Sequence, residues 1–373
     1  MKKSQSKIKN IAIVLPQFHP FPENDKWWGK GFTEWTNVTK AKPAFKGHYQ
    51  PHLSSDLGYY DLRLPEAMED QANLAREYGI DGFCYYHYWF NGKRLMRQPL
   101  DNLINTGKPD FPFMLCWANE NWTRRWDGLE SEILIKQEYN AEDDVQHIRF
   151  LCDFYFSDSR YIRVDGKPFI LIYRPLLFPN IRATLEVWRN EALQRGIGEL
   201  YIGYMQTFSF KDAPEKYGFD CAVGFQPDFS DLPRHEMPSF LDKVKNKLKI
   251  ASSVHYSNTI VSYSKYVDRM LKKFPSQHNI YPSIFPGWDN SARRQNNAII
   301  FVDSTPSEFE RWLKSIKAQY SNKDTILFLN AWNEWAEGNH LEPCQKWGRQ
   351  YLEVVKKVMK DDGKESVWQK IKS

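Results

Sequence analysis

Two glutamates stand three residues apart in Asn330-Ala331-Trp332-Asn333-Glu334-Trp335-Ala336-Glu337-Gly338, directly after the apolar run 325–329. A pair of carboxyl groups can break a glycosidic bond: one protonates the leaving oxygen while the other assists at the opposite side of the sugar ring. On an extended strand, positions 334 and 337 would point to opposite faces, because side chains alternate with a period of two. A helical or turn-like bend brings them together instead, with Cβ atoms roughly 5–6 Å apart. That separation suits the roughly 5–5.5 Å between the carboxyl groups of a retaining glycosidase. Taken alone, the segment also fits a solvated glutamate pair opening a surface helix.

The choice depends on what positions the pair. The run 325–329 (TILFL) reads as a buried strand, continuous in apolar character and rich in residues that suit a pleated surface. Seven runs of the same kind precede it, at 11–15, 81–90, 111–120, 168–173, 200–205, 219–225 and 281–285. Helical spacing is found at 62–78, 99–104, 141–156, 185–195, 307–318 and 346–359, with Gly79 and Gly196 as stop signals. Eight short strands, each followed by a helix or a long loop, predict an α/β fold. It is a (β/α)8 TIM barrel with long loop insertions on the catalytic face. A single domain over 1–373, with the barrel at about 11–360, is the simplest organisation. An open doubly wound sheet is the alternative, but no G-x-G-x-x-G follows the first strand and no P-loop sequence occurs.

Barrel enzymes carry their sites at the C-terminal ends of the strands. The residues there are the substrate-binding candidates: Gln17 and His19; His87 and Trp89; Trp117, Asn119 and Glu120; Arg174; Gln206; Gln226 and Asp228; Trp288 and Asp289; Asn333 and Trp335. Glu334 and Glu337 are the catalytic candidates. Singly, His19 or His87 fits a satisfied core histidine and Arg174 a structural ion-pair partner. Their coincidence at successive strand ends is what points to a site. A metal is not expected, since His19, His87 and Asp228 lack H-x-H or H-E-x-x-H spacing. No G-x-S-x-G or placed Cys/His pair supports a serine or cysteine nucleophile, and no cofactor motif is found.

Composition narrows the partners. The chain has 51 basic and 46 acidic residues, interspersed, for a net charge of +5, which does not indicate nucleic-acid binding. The basic run 243–249 fits a solvated helix face, with peripheral contact to an anionic membrane as the weaker reading. No stretch approaches the roughly 20 apolar residues of a membrane span. Aromatic residues make up 16% of the chain, and several lie beside amides and carboxylates, as a sugar ligand requires. Five scattered cysteines without C-x-x-C favour free thiols. With a first apolar run too short for a signal peptide, they lead to a cytoplasmic expectation.

Five segments together carry a family resemblance: 15–19 (LPQFH), 28–38 (WGKGFTEWTNV), 85–89 (YYHYW), 117–122 (WANENW) and 332–338 (WNEWAEG). In these the chain resembles the glycoside hydrolase family 99-like group, also called the WbsX family and often labelled glycosyltransferase. The resemblance implies a (β/α)8 barrel and a retaining, endo-acting mechanism in which Glu334 and Glu337 match the two carboxylates. It gives Glu337 the general acid/base role. Glu334 would deprotonate the sugar's own 2-hydroxyl to give an epoxide-like intermediate. Ala336 stands where the mannosidases usually have His, so mannose is not carried over as the sugar. The resemblance also implies an oligosaccharide or polysaccharide substrate from O-antigen or surface-polysaccharide synthesis. The expectation is therefore a glycoside hydrolase-like enzyme. Its alternatives are a glycosyltransferase, which would want a nucleotide-sugar phosphate turn or D-x-D, and a catalytically inactive carbohydrate-binding barrel, which the two intact carboxylates oppose.

Overall fold

The computed structural model describes residues 8–124, 129–207, 210–236, 247, 254–273, 279–294 and 296–360. Eight parallel strand positions form the barrel. They are β1 (Ile8–Val14), β2 (Gly82–Phe90), β3 (Phe113–Trp117), β4 (Lys167–Ile172), β5 (Tyr201–Met205), β6 (Cys221–Val223), β7 (Ile280–Tyr281 and Ser283–Ile284) and β8 (Thr325–Leu329). Each pairs in parallel with the next, and β8 pairs with β1 from Ile8↔Thr325 to Ala12↔Leu329. Pro282, which cannot donate to a ladder, divides β7. Its first half pairs with β6 and its second half with β8, and this closes the ring.

The strands are apolar on both faces because one side fills the barrel and the other meets helices. All five residues of β3 and of β8 are buried. The surrounding helices include Pro65–Glu77, Ala141–Leu151, Ile181–Gln194, Tyr263–Lys272, Pro306–Gln319 and Gln350–Met359, and each presents a buried apolar stripe. Several start on caps visible in the sequence, such as Asn140, whose side chain accepts from the Asp143 N–H, and Thr305, which accepts from Glu308.

Several boundaries differ from the sequence expectation, among them the helix expected at 185–195, which starts at Ile181 on the Asn180 cap, and the strand expected at 219–225, which is confined to Cys221–Val223. The run 111–120 is a strand only over Phe113–Trp117, since Pro112 precedes it and polar residues turn the chain after Trp117. The helix expected over 141–156 loosens into a π turn over Cys152–Phe156. The last helix starts at Gln350, because 344–348 is spent on bridges from Cys344 to Ser54 and Gly348. The basic run 243–249, apart from Lys247, lies outside the described residues. Among the described residues, no helix is long and apolar enough to cross a membrane. All five cysteines are buried free thiols.

Candidate functional site

At the exit of β8 the chain makes a short bridge, Asn333–Glu334 against Asn339–His340, and between its arms lies a single 3-10 turn, Trp335–Glu337. Gly338 ends this turn in the left-handed region at φ 57°, which favours a residue without Cβ. A Cβ there would also come within 3.0 Å of Asp289. The turn is anchored from behind. Asn333 accepts from the Leu15 N–H (2.8 Å) and donates to the Leu15 carbonyl (3.0 Å), tying the turn to β1. The Trp335 indole N–H donates to Glu342 (2.6 Å), which also accepts from Tyr60 (2.8 Å) and Gln71 (2.7 Å). Burial pushes the Glu342 carboxyl up to about 7. The Asp289 N–H donates to the Glu337 carbonyl (2.6 Å).

This turn places both glutamates on a cleft of about 450 Å³ at the C-terminal mouth of the barrel, a volume typical of small-molecule sites. Aromatic rings of Tyr86, Tyr88, Trp122, Tyr173, Phe229 and Trp288 line it. Gln17 lines it too; the residue is fully buried, and neither side-chain amide atom has a hydrogen-bond partner. A buried polar atom left unpaired is costly.

Arg293 organises the charges. Its guanidinium bonds Glu337 through Nη1, and through Nη2 it reaches Glu34 (2.6 Å) and Glu334 (3.2 Å). Glu34, on the helix Glu34–Lys40, is wholly buried. Three carboxyl groups thus surround one guanidinium. Burial raises the proton affinity of Glu334, to about 8, with repulsion from Glu337 and Glu34 adding to it and Arg293 opposing it. Glu337 is raised as well, by burial first and against the pull of Arg293. Both shifts favour the protonated form of the pair, against the pull of Arg293. The two carboxyls titrate as a unit.

The structure gathers only part of the predicted set. Gln17, Glu120, Trp288, Glu334 and Glu337 line the cleft. Trp335 and Asn333 lie just behind the turn as supports. Arg174 ion-pairs with Glu120 at the rim, and Asn119 fixes the Arg174 backbone, donating to its carbonyl (2.9 Å) and accepting from its N–H (2.7 Å).

The remaining candidates point elsewhere. His87, Trp89 and Trp117 face the helix layer: His87 meets His147 (3.0 Å), Trp89 donates to Asp143 (2.9 Å) and Trp117 stacks on Trp188. The reason is strand parity, since Tyr86 and Tyr88 on the same strand face the cleft. His19 is buried against the Pro16 carbonyl (2.9 Å), and burial pushes it down to about 4. Gln206, Gln226 and Asp228 line a different cavity beside Met270 and Trp312, with Asp228 paired to Lys211 (2.5 Å). Asp289 lies behind the turn, accepting from His48 (2.6 Å) and Gln50 (2.8 Å). Among the described residues, no group of three or more His, Cys, Asp or Glu is arranged to hold a metal ion.

Arg293, Glu34 and the three tyrosines are absent from the strand-end reading. Glu34 sits within the aromatic motif 28–38. Arg293 follows Trp288-Asp289-Asn290 by three residues, one turn past the point where the strand-end reading stops.

Several known proteins share this sequence or fold. The family profile described as Glycosyltransferase WbsX matches residues 10–355. The "Uncharacterized protein WxcX" of Xanthomonas campestris pv. campestris is 40% identical over 353 residues, which cover 94% of this chain and 49% of that protein. The chain thus spans about half the length of the curated relatives it matches. Among solved structures, a glycoside hydrolase-like protein superposes with a TM-score of 0.58 at 15% identity, covering 97% of this chain and 96% of the other. A GH99 endo-alpha-mannosidase from Bacteroides thetaiotaomicron gives a TM-score of 0.57 at 12% identity, covering 95% and 97%. These likenesses are likenesses of fold. With the profile spanning nearly the whole chain, the protein belongs to the WbsX family.

Proposed function

We propose that the chain is a glycoside-processing enzyme that cleaves or remodels a bond within a bacterial surface polysaccharide or its precursor, with retention and by endo attack. The observation that carries this is the Glu334/Glu337 turn facing an aromatic cleft, with Arg293 spanning both carboxyls. The rings offer faces for sugar stacking. Gln17 and Asn330 offer hydrogen bonds to hydroxyls. One carboxyl protonates the departing oxygen; the other acts on the opposite side of the ring, directly or through the 2-hydroxyl.

The family resemblance gives the acid role to Glu337, and burial raises the proton affinity of both carboxyls, so charge alone does not assign the roles. An aryl glycoside with a good leaving group separates the roles, because it spares the bond-breaking step of the variant that lacks the proton donor and not that of the variant that lacks the carboxyl acting on the opposite side of the ring.

A second reading, transfer from a nucleotide sugar, is favoured by the family's description as a glycosyltransferase. Incubating the protein with host oligosaccharide, with and without nucleotide sugars, decides between them. New reducing ends without a donor support cleavage. Product formed only as donor is consumed overturns it.

A further inference from the structure

A second cavity, of about 440 Å³, lies across the wall formed by Trp288, Asp289 and Gly338. The loops after β7 and β8 and the segment 45–52 build it, so it sits at the same end of the barrel as the cleft. Trp288 lines both cavities. We propose that the second cavity binds a saccharide unit, giving the glycan a second hold beside the carboxylate cleft. The proposal rests on the reading of that cleft as a glycoside-processing site and adds a binding place to it.

Three observations carry it. The walls combine aromatic rings, from Phe45, Trp288 and Trp347, with polar groups such as His52, Ser304, Thr305 and His340, the make-up of a site for a ring that has apolar faces and hydroxyl edges. The Phe45 ring is held parallel to His48 at 4.6 Å, which leaves it little freedom to collapse into the space. Second, Ser304 Oγ and the Trp288 indole nitrogen are buried without a hydrogen-bond partner. Trp288 is itself only 8% exposed, so a ligand hydroxyl is the natural complement to its donor. Third, the Lys346 ammonium is held over the rings of Tyr49 (4.5 Å) and Trp347 (4.9 Å). Two cation–π contacts fix its donors beside the cavity and lower the ordering cost of using them.

The charges argue for a neutral sugar rather than an anion. Lys46 and Lys346 are matched by Asp289 and Asp303 around the same space. No field of one sign is left to concentrate an anionic ligand. An occupant would also touch Asp289, whose N–H holds the Glu337 carbonyl (2.6 Å). The second hold thus lies one residue from the turn that carries the carboxylates.

The test uses the full chain and, as probe, oligosaccharides released from the host surface polysaccharide, titrated calorimetrically. Two classes of site are expected. Trp347→Ala and, independently, the exposed-residue variant Lys346→Met weaken one class about tenfold, the size of one lost aromatic or cation–π contact, and leave the other intact. Trp122→Ala does the reverse. A single class of site, lost in Trp122→Ala and indifferent to Trp347→Ala and Lys346→Met, overturns this proposal and leaves the proposed function standing. No binding to either cavity overturns both. If inorganic phosphate or glucose 1-phosphate competes for the second class and neutral oligosaccharides do not bind there, the assignment to a neutral saccharide is overturned.

Discussion

Replacing Arg293 by Met removes the guanidinium that touches Glu34, Glu334 and Glu337 while keeping a side chain of similar length. Its nitrogens lie 2.6 Å from Glu34 and 3.2 Å from Glu334. With charge centres about 4 Å apart and an effective dielectric constant of about 20, each such pair is worth about 4 kcal/mol. At 1.36 kcal/mol per pKa unit that would move a carboxyl by as much as about three pH units, and partial exposure of the pair reduces it. Removing the cation disfavours the carboxylate form, so the midpoints of the pair must rise. We expect a rise of at least about one pH unit, read without any substrate by carbon NMR of glutamate labelled at the side-chain carboxyl. Loss of one partner of a buried ion network costs about 3–5 kcal/mol of stability. Two milder variants therefore accompany it. Arg293→Lys keeps the charge and should hold the midpoints closer to the parent. Glu34→Gln removes one competitor for Arg293, and with it one repelling charge, and should lower the midpoints of Glu334 and Glu337. Midpoints that stay put or fall in Arg293→Met would refute the account of Arg293 as the group that sets the charge of the pair.

Three further outcomes are expected. Glu334→Gln and Glu337→Gln each lower turnover of a natural glycan by at least about 100-fold, the lower end for acid–base groups; near-parental turnover in either removes that residue from the chemistry. Burial holds His19 near 4 against an ordinary value of 6.5. The folded chain therefore binds fewer protons there than the unfolded chain, and this contribution is full above pH 6.5 and lost as pH falls toward 4. Compared with His19→Asn, which keeps an N–H for the Pro16 carbonyl, the wild-type advantage in urea unfolding should shrink by about 2–3 kcal/mol between pH 7.5 and 4.5; a constant difference contradicts it. Finally, a Cβ at Gly203 in β5 would lie 2.5 Å from Cys221 Sγ and 2.9 Å from Leu171. Gly203→Ala should destabilise by about 1–3 kcal/mol, seen as a lower Tm, and an unchanged Tm would show that the β5–β6 contact can relax.

The sequence by itself determined the strands of the barrel and the place of the carboxyl pair. Apolar runs such as 325–329 are local signals, and the strand there has those bounds. The pair at 334 and 337 was visible as a spacing that by itself also fits a solvated surface pair; the 3-10 turn at the barrel mouth is what places both on the cleft. Which strand-end residues reach the cleft was a matter for tertiary structure. On β2, Tyr86 and Tyr88 face the cleft while His87 turns outward to His147, a choice of parity that depends on how the strand is rolled into the ring. Arg293 and Glu34 are 259 positions apart and meet only because the loop after β7 and the helix after β1 close over the same barrel mouth. No pattern in either segment announces that contact. The sequence thus supplied the two carboxyl groups, and the fold supplied their burial, the guanidinium that bonds them and the third carboxyl beside it, because burial and distance between remote segments exist only once the ring is closed.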